Sequence, residues 1–309
     1  MLVASGLGNF ARDALDLQVQ VDAIGLGAIF ALMAVGIGLV FGVMRLVNFA
    51  YGQLIMAGAF ALAFASERDW PVAAGIALCF AVVLALSLAM ERVVFRPLRT
   101  QSAAVMLIAT VAVSFLLQSI ALLWFGPLGK TATSLVELNR PVSVGGVDIR
   151  KITIAAIVVA AICLVLLVLL LGRTSIGLHM RAAAIDSSTA RLLGVRANMV
   201  SVVSVLIAGA LAALVAVMLT VQYPTVTPTY GLQETILVLA GVVVGGMTRL
   251  VSATLGGFLI GYVSGLLGGA LPSSQSQYLP SFLFGLVILV LLLRPDGLFT
   301  RSRGLVERV

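Results

Sequence analysis

Long apolar runs, each closed by a short cluster of Gly, Pro or charged residues, repeat along the whole chain. They predict helices near Val19–Met44, Gln53–Ser66, Val72–Phe95, Ala103–Phe125, Ile152–Leu171, Met199–Val221, Leu232–Met247, Ser252–Ala270 and Ser281–Leu293. Roughly 20 apolar residues of helix cross the hydrocarbon of a bilayer, so these runs read as nine crossings. A membrane barrel would instead show segments of about ten alternating residues. The expected fold is all-α, a polytopic membrane protein with eight to ten transmembrane helices. The second run is short, and the seventh and eighth nearly touch, so some of these helices are expected to be broken or re-entrant.

Composition agrees with the pattern. The 309 residues are 61% hydrophobic and only 10% charged, with a mean hydropathy of +1.18, where a soluble domain carries about a quarter charged residues. The net charge of +7 is almost all Arg, sited at the ends of apolar runs. That placement fits membrane orientation and gives no support for a nucleic-acid partner. Arg92, Arg96 and Arg99, then Arg173, Arg181, Arg191 and Arg196, then Arg294, Arg301, Arg303 and Arg308 fall on one side by alternation. By the excess of positive charge on cytoplasmic loops, that side, with the carboxyl terminus, is the cytoplasm. The stretch 126–151 is then an extracytoplasmic loop, although Lys130, Arg140, Arg150 and Lys151 outnumber Glu137 and Asp148 there. The first twenty residues, interrupted by Arg12, Asp13 and Asp16, do not read as a removable signal. Residues 1–309 form one transmembrane domain on this reading, with lipid as its surroundings.

Candidate chemistry is sparse. Cys79 and Cys163 lie inside apolar runs and read as packing residues. His179 is the only histidine, which rules out paired-His zinc sites and a Ser-His-Asp triad within the chain. GPLGKT at 126–131 lacks the first glycine of a phosphate loop, Trp124 standing in its place, and reads as a turn. Asp22, Glu91 and Glu234 sit near the ends of runs, leaving little for a proton relay. No catalysis is expected, no metal and no cofactor in this chain. Asn48, Tyr51, Gln53 and Glu234 are candidate lining residues of a pathway, and they serve equally as interhelical hydrogen-bonding groups. Glycines four apart (Gly38 and Gly42, Gly241 and Gly245, Gly257, Gly261 and Gly265) predict close helix packing. GLVFGVMRLVNFAYG at 38–52 echoes GVVVGGMTRLVSATLG at 241–256, as in duplicated transporters or by chance in apolar sequence. The alternation gives both copies the same direction. An energy source, if transport is the function, lies in a partner or a gradient.

One polar stretch breaks the apolar pattern: TSIGLHMRAAAIDSSTARLLGVRAN, Thr174–Asn198. Asp186 is placed to cap a short helix starting at Ser187, and Gly194 to end it in the left-handed conformation. Such a helix would show Leu192 and Leu193 on one side, either covered by a partner or folded onto the membrane surface.

Thr174, Gly177, Arg181, Ala182, Asp186, Ala190, Leu193 and Gly194 resemble the cytoplasmic loop of bacterial branched-chain amino acid ABC transporter permeases of the high-affinity leucine/isoleucine/valine permease H type. NFAYGQLIMAGAF at 48–60, the glycines at 245 and 256, and RPDGLF at 294–299 also resemble that family's motifs. The resemblance implies that 173–198 is a coupling loop docked on an ATPase, with Thr174, Gly177, Arg181, Asp186, Ala190, Leu193 and Gly194 as coupling residues. It further implies a multi-pass protein of the bacterial inner membrane that works with a second homologous permease, two cytoplasmic ATPase subunits and an extracytoplasmic solute-binding protein. ATP and Mg would be held by the ATPases. Tyr51 and Gln53 stand where the family usually has His and Glu, and Thr248, Arg249, Val251 and Ser252 where a Gly-Ser-x-Pro-Gly turn is typical. These departures bear on the solute, since similar proteins carry urea, short amides or aromatic acids. The rival expectation is a self-sufficient ion-coupled carrier or channel, with a membrane enzyme behind it.

Overall fold

The structure, a computed structural model, describes residues 16–45, 47–99, 101–144, 147–246, 249–272, 275–294 and 297–299. Arg12 and Asp13, Met247 and Thr248, Pro295 and Asp296 of the RPDGLF motif, and the tail from Thr300 with its three arginines lie outside the described residues.

Among the described residues, nine helices run back and forth between two ends: α1 (Leu17–Met44), α2 (Tyr51–Glu67), α3 (Val72–Leu98), α4 (Ala103–Phe125), α5 (Lys151–Arg173), α8 (Ala197–Gln222), α9 (Leu232–Gly245), α10 (Leu250–Ala270) and α11 (Leu279–Leu293). Two shorter ones, α6 (Ser175–Ile185) and α7 (Ser187–Leu192), connect α5 to α8. Six of the helices are long and apolar enough to cross a membrane. The expected spans agree with the observed ones closely because Asp16, Ser102, Gly126, Gly231 and Gly246 end or begin helices where apolar runs stop.

One end carries the hairpin of β2 (Pro141–Val144) with β3 (Val147–Arg150), and a short antiparallel pair, β1 (Lys130–Thr131) with β4 (Thr225–Val226). Gly129 and Gly126, with φ of 75° and 77°, make the turn that GPLGKT predicts. The start of α1 belongs to this hairpin end: Asp22 meets Arg150 at 3.6 Å. The other, arginine end gathers the α3–α4 connection, α6 and α7, and the α9–α10 connection. The three arginine clusters therefore share one end as far as they are described.

The centre of the bundle is α1, buried along most of its length among α5, α8, α9 and α10. Its tightest neighbour is the antiparallel α10, and the reason is steric. A Cβ on Gly257, Gly261, Gly265 or Gly269 would lie 2.3 Å from Ala34, 2.6 Å from Phe30, 2.5 Å from Ala23 and 2.6 Å from Val19 respectively. A stripe of absent side chains lets the backbones close where lipid provides no hydrophobic drive. Gly241 and Gly245 pack on Gly256 in the same way, closing α9 onto α10. Gly42 does not: its Cβ position has nothing within 4 Å, so the packing expected of that glycine is absent. By contrast α4 and α5 leave Ile108, Phe115, Leu123, Trp124 and Leu166 exposed, a lipid-facing surface.

The echoing segments 38–52 and 241–256 each turn at the arginine end, from α1 into α2 and from α9 into α10. The two run in the same direction, as the alternation requires. The re-entrant character expected of the short runs falls on α9. Its 14 residues rise only about 21 Å at 1.5 Å per residue, less than the hydrocarbon thickness of about 30 Å. The chain after β4 descends into the bundle before α9 begins, so that Gly231 lies against Gly52 at the start of α2; a Cβ on Gly52 would be 2.6 Å from the Gly231 carbonyl oxygen.

Candidate functional site

The stretch expected as a loop is two helices at a sharp bend. Thr174 opens α6: its Oγ1 accepts from the Gly177 N–H at 3.0 Å and donates to the Leu170 carbonyl at 2.6 Å. This one hydroxyl caps α6 while tying it to the last turn of α5. Gly177 sits where α6 folds back on α5, and a Cβ there would meet the Leu170 carbonyl oxygen at 2.2 Å. Gly177, Met180 and Ala183 turn inward. Arg181 points outward, on the rim of an open cavity of ≈ 650 Å³ between α6, the end of α1 and the start of α10.

Asp186 breaks the helix. Its N–H still bonds the Ala182 carbonyl, but its extended backbone (φ −149°) redirects the chain. The carboxylate then accepts from the Thr189 N–H at 3.2 Å and from the Thr189 hydroxyl. A cap of this kind is worth about 1 kcal/mol. Ala190 is the buried contact of α7. Gly194, at φ 87°, ends it, with the Val195 N–H reaching back to the Ala190 carbonyl at 3.0 Å. Both ends of α7 are thus as its sequence predicts. The exposed side carries large apolar groups: Ile185 is 84% exposed, Leu192 88% and Leu193 80%.

Sequence reasoning missed two arginines that fasten this segment. Arg45, the left-handed residue (φ 56°) that ends α1, donates to the Ala184 carbonyl at 3.0 Å. Arg99, at the end of α3, donates to Asn198 Oδ1 at 2.8 Å and to Glu91 Oε1 at 3.1 Å. The spacings are 139, 99 and 8 residues, which no local pattern reveals.

The four pathway candidates gather where α2 and α9 begin. Asn48 is buried and makes the turn, its Oδ1 accepting from the Ala50 N–H at 3.0 Å. Tyr51 is wholly buried against Gly36, and its hydroxyl has no hydrogen-bond partner. Gln53, equally buried, donates from Nε2 to Ser114 Oγ at 3.1 Å while its Oε1 has none. Glu234 lies in the first turn of α9, where the helix dipole favours a carboxylate. It is half-buried toward the hairpin end: burial raises the pKa of Tyr223, just beyond α8, the Glu234 charge raises it further, and Arg150 opposes both. The first three share one bend but turn to different neighbours, Tyr51 to α1 and Gln53 to α4, while Glu234 stands in the first turn of α9.

A family model described as the permease component of a branched-chain amino acid transport system matches residues 20–292. The chain belongs to that family. The permease is 32% identical over 305 residues to the high-affinity branched-chain amino acid transport system permease protein BraD of Pseudomonas aeruginosa, covering 95% of this chain and 98% of that one. It is 28% identical over 307 residues to the corresponding LivH of Escherichia coli, covering 95% and 97%. In fold the permease resembles a chain of PsaBC from Streptococcus pneumoniae, solved in complex with Fab, at a TM-score of 0.55 and 12% identity over 94% of this chain and 97% of that one. It also resembles an inward-facing putative metal-chelate type ABC transporter, at 0.51 and 18% identity over 90% and 87%. The all-α fold is therefore shared with both of these chains.

Proposed function

We propose that this permease is the membrane subunit of an ATP-driven importer of branched-chain or other hydrophobic amino acids, sited in a bacterial inner membrane with the arginine end in the cytoplasm. It pairs with a second permease chain and receives its solute from an extracytoplasmic binding protein. Two cytoplasmic ATPases, which hold the ATP and Mg, drive it. The names of its relatives support the solute class, and family membership supports the ATP-driven assembly. The observation that carries the mechanism is α7, a capped two-turn helix that exposes Leu192 and Leu193 beyond the bundle. Neighbouring apolar side chains held out in this way mark an interaction surface, and its partner is a groove on the ATPase. Closure of the ATPase pair on ATP pushes α7, with Asp186 and Gly194 keeping it rigid, Thr174 and Gly177 seating α6 on α5, and Arg181 adding a polar contact at the rim.

The polar bend of Asn48, Tyr51, Gln53 and Glu234 is the proposed solute station. Its support is the pair of buried polar atoms, Tyr51 Oη and Gln53 Oε1, that lack partners among the described residues. The deciding experiment reconstitutes the permease with its ATPases in liposomes. Asp186→Pro and Gly194→Val are expected to insert and to retain ATP hydrolysis while losing solute uptake; normal uptake in both would refute the coupling role. Uptake by the isolated permease under an ion gradient alone would replace the importer with a secondary carrier.

A further inference from the structure

Glu91 is a carboxylate at the arginine end of a membrane-spanning helix, 1% exposed, held by Arg99. Ionisable groups so placed are costly and are kept in company with a partner. Between the two, residues Glu91–Phe95 form a turn of π-helix, with the Arg96 N–H reaching the Glu91 carbonyl five residues back. Pro97 supplies the cause: it has no N–H, and its ring would collide with the Val93 carbonyl of a regular helix. Such turns are soft points of a helix and recur at functional positions. The other arm of Arg99 holds Asn198, in the first turn of α8 directly after α7. On the opposite side of the segment, Arg45 caps the last turn of α6 at Ala184, where helix carbonyls lack partners of their own.

We propose that Arg99 and Arg45 are the positioning residues that carry movement of the α6–α7 segment into the bundle, Arg99 into α3 through buried Glu91 and Arg45 into α1. This rests on the coupling role of α7. Arg99 cannot leave Glu91 without stranding a buried charge, so displacement of Asn198 draws the end of α3 with it, and the π-turn yields. Arg45 passes the same displacement to α1, whose glycine-packed partner α10 must follow.

The test measures solute moved per ATP hydrolysed by the reconstituted complex. Asn198→Ala removes only the acceptor on α8 and leaves the Glu91–Arg99 pair intact; the ratio is expected to fall about five-fold or more, the lower range of coupling between sites. Arg45→Gln is expected to lower it similarly. Arg99→Ala alone is expected to express poorly, its buried Glu91 unpaired, whereas Arg99→Ala with Glu91→Gln recovers expression without recovering the ratio. A wild-type ratio in that double variant, or in both Asn198→Ala and Arg45→Gln while Asp186→Pro uncouples, overturns this proposal and leaves the coupling role standing. A wild-type ratio in both Asp186→Pro and Gly194→Val overturns both.

Discussion

The α1–α10 pair and the α6–α7 segment are held by opposite means. The pair is joined by contact area: four glycines of α10 let its backbone lie directly on α1, so any motion must carry both helices. The segment is joined by the inward Gly177, Met180 and Ala183 and by a handful of directed hydrogen bonds from Thr174, Arg45 and Arg99, while Ile185, Leu192 and Leu193 are turned away from the protein. Area makes a rigid body. Point contacts make a part that can be displaced as a unit and still pull on what it touches.

Breaking the rigid pair should have the largest effect. Gly261→Leu drives a side chain into Phe30 and into the Gly27 backbone, 2.6 and 2.9 Å from the new Cβ. Overpacking of this kind costs about 1–3 kcal/mol or more. The expected outcome is loss of monodisperse protein in detergent, read by size-exclusion chromatography and thermal unfolding. The segment should answer differently. Leu192→Ala with Leu193→Ala removes exposed groups, so the purified permease should unfold at its usual temperature, while its affinity for the ATPases falls by roughly ten-fold or more, as for apolar anchors worth above 1 kcal/mol. Titration of the ATPase onto immobilised permease measures this; unchanged affinity would place the docking surface elsewhere. The smallest effect sharpens the contrast from the hairpin end. Lys130 meets Glu67 at 2.7 Å across an exposed surface. Lys130→Ala should therefore shift stability by less than about 1 kcal/mol, and it should leave the ratio of solute to ATP unaltered.

How legible each region was in the sequence follows from the same contrast. The helices that pack by area have uniform apolar runs punctuated by Gly and caps, and their limits are readable within a few residues. The cap at Asp186 and the stop at Gly194 are local signals that also read correctly. The helix Ser175–Ile185 was hidden because its buried positions are few and two of them, Gly177 and Ala183, are small beside Met180, so no strong periodicity marks it. The hairpin of β2 and β3 had a signal, alternating VSV and VDI around Gly-Gly, swamped by the charges beside it. Arg45, Arg99 and Glu91 were unreadable for a different reason. Their partners are brought close only by the tertiary fold, and a π-turn displaces Arg99 from the regular four-residue register that charge patterning relies on.

The late start of α9 carries one more consequence. Because that helix begins level with Gly52, residues 229–231 form a turn whose peptide groups find partners of their own, the Tyr230 N–H on the Thr227 carbonyl and the Leu232 N–H on the Thr229 carbonyl, as groups kept from water require. Helix α2 already covers Gly231 through Gly52 and Ile55, so the subunit shields this turn itself and, of the three residues, only Thr229 is left at its surface.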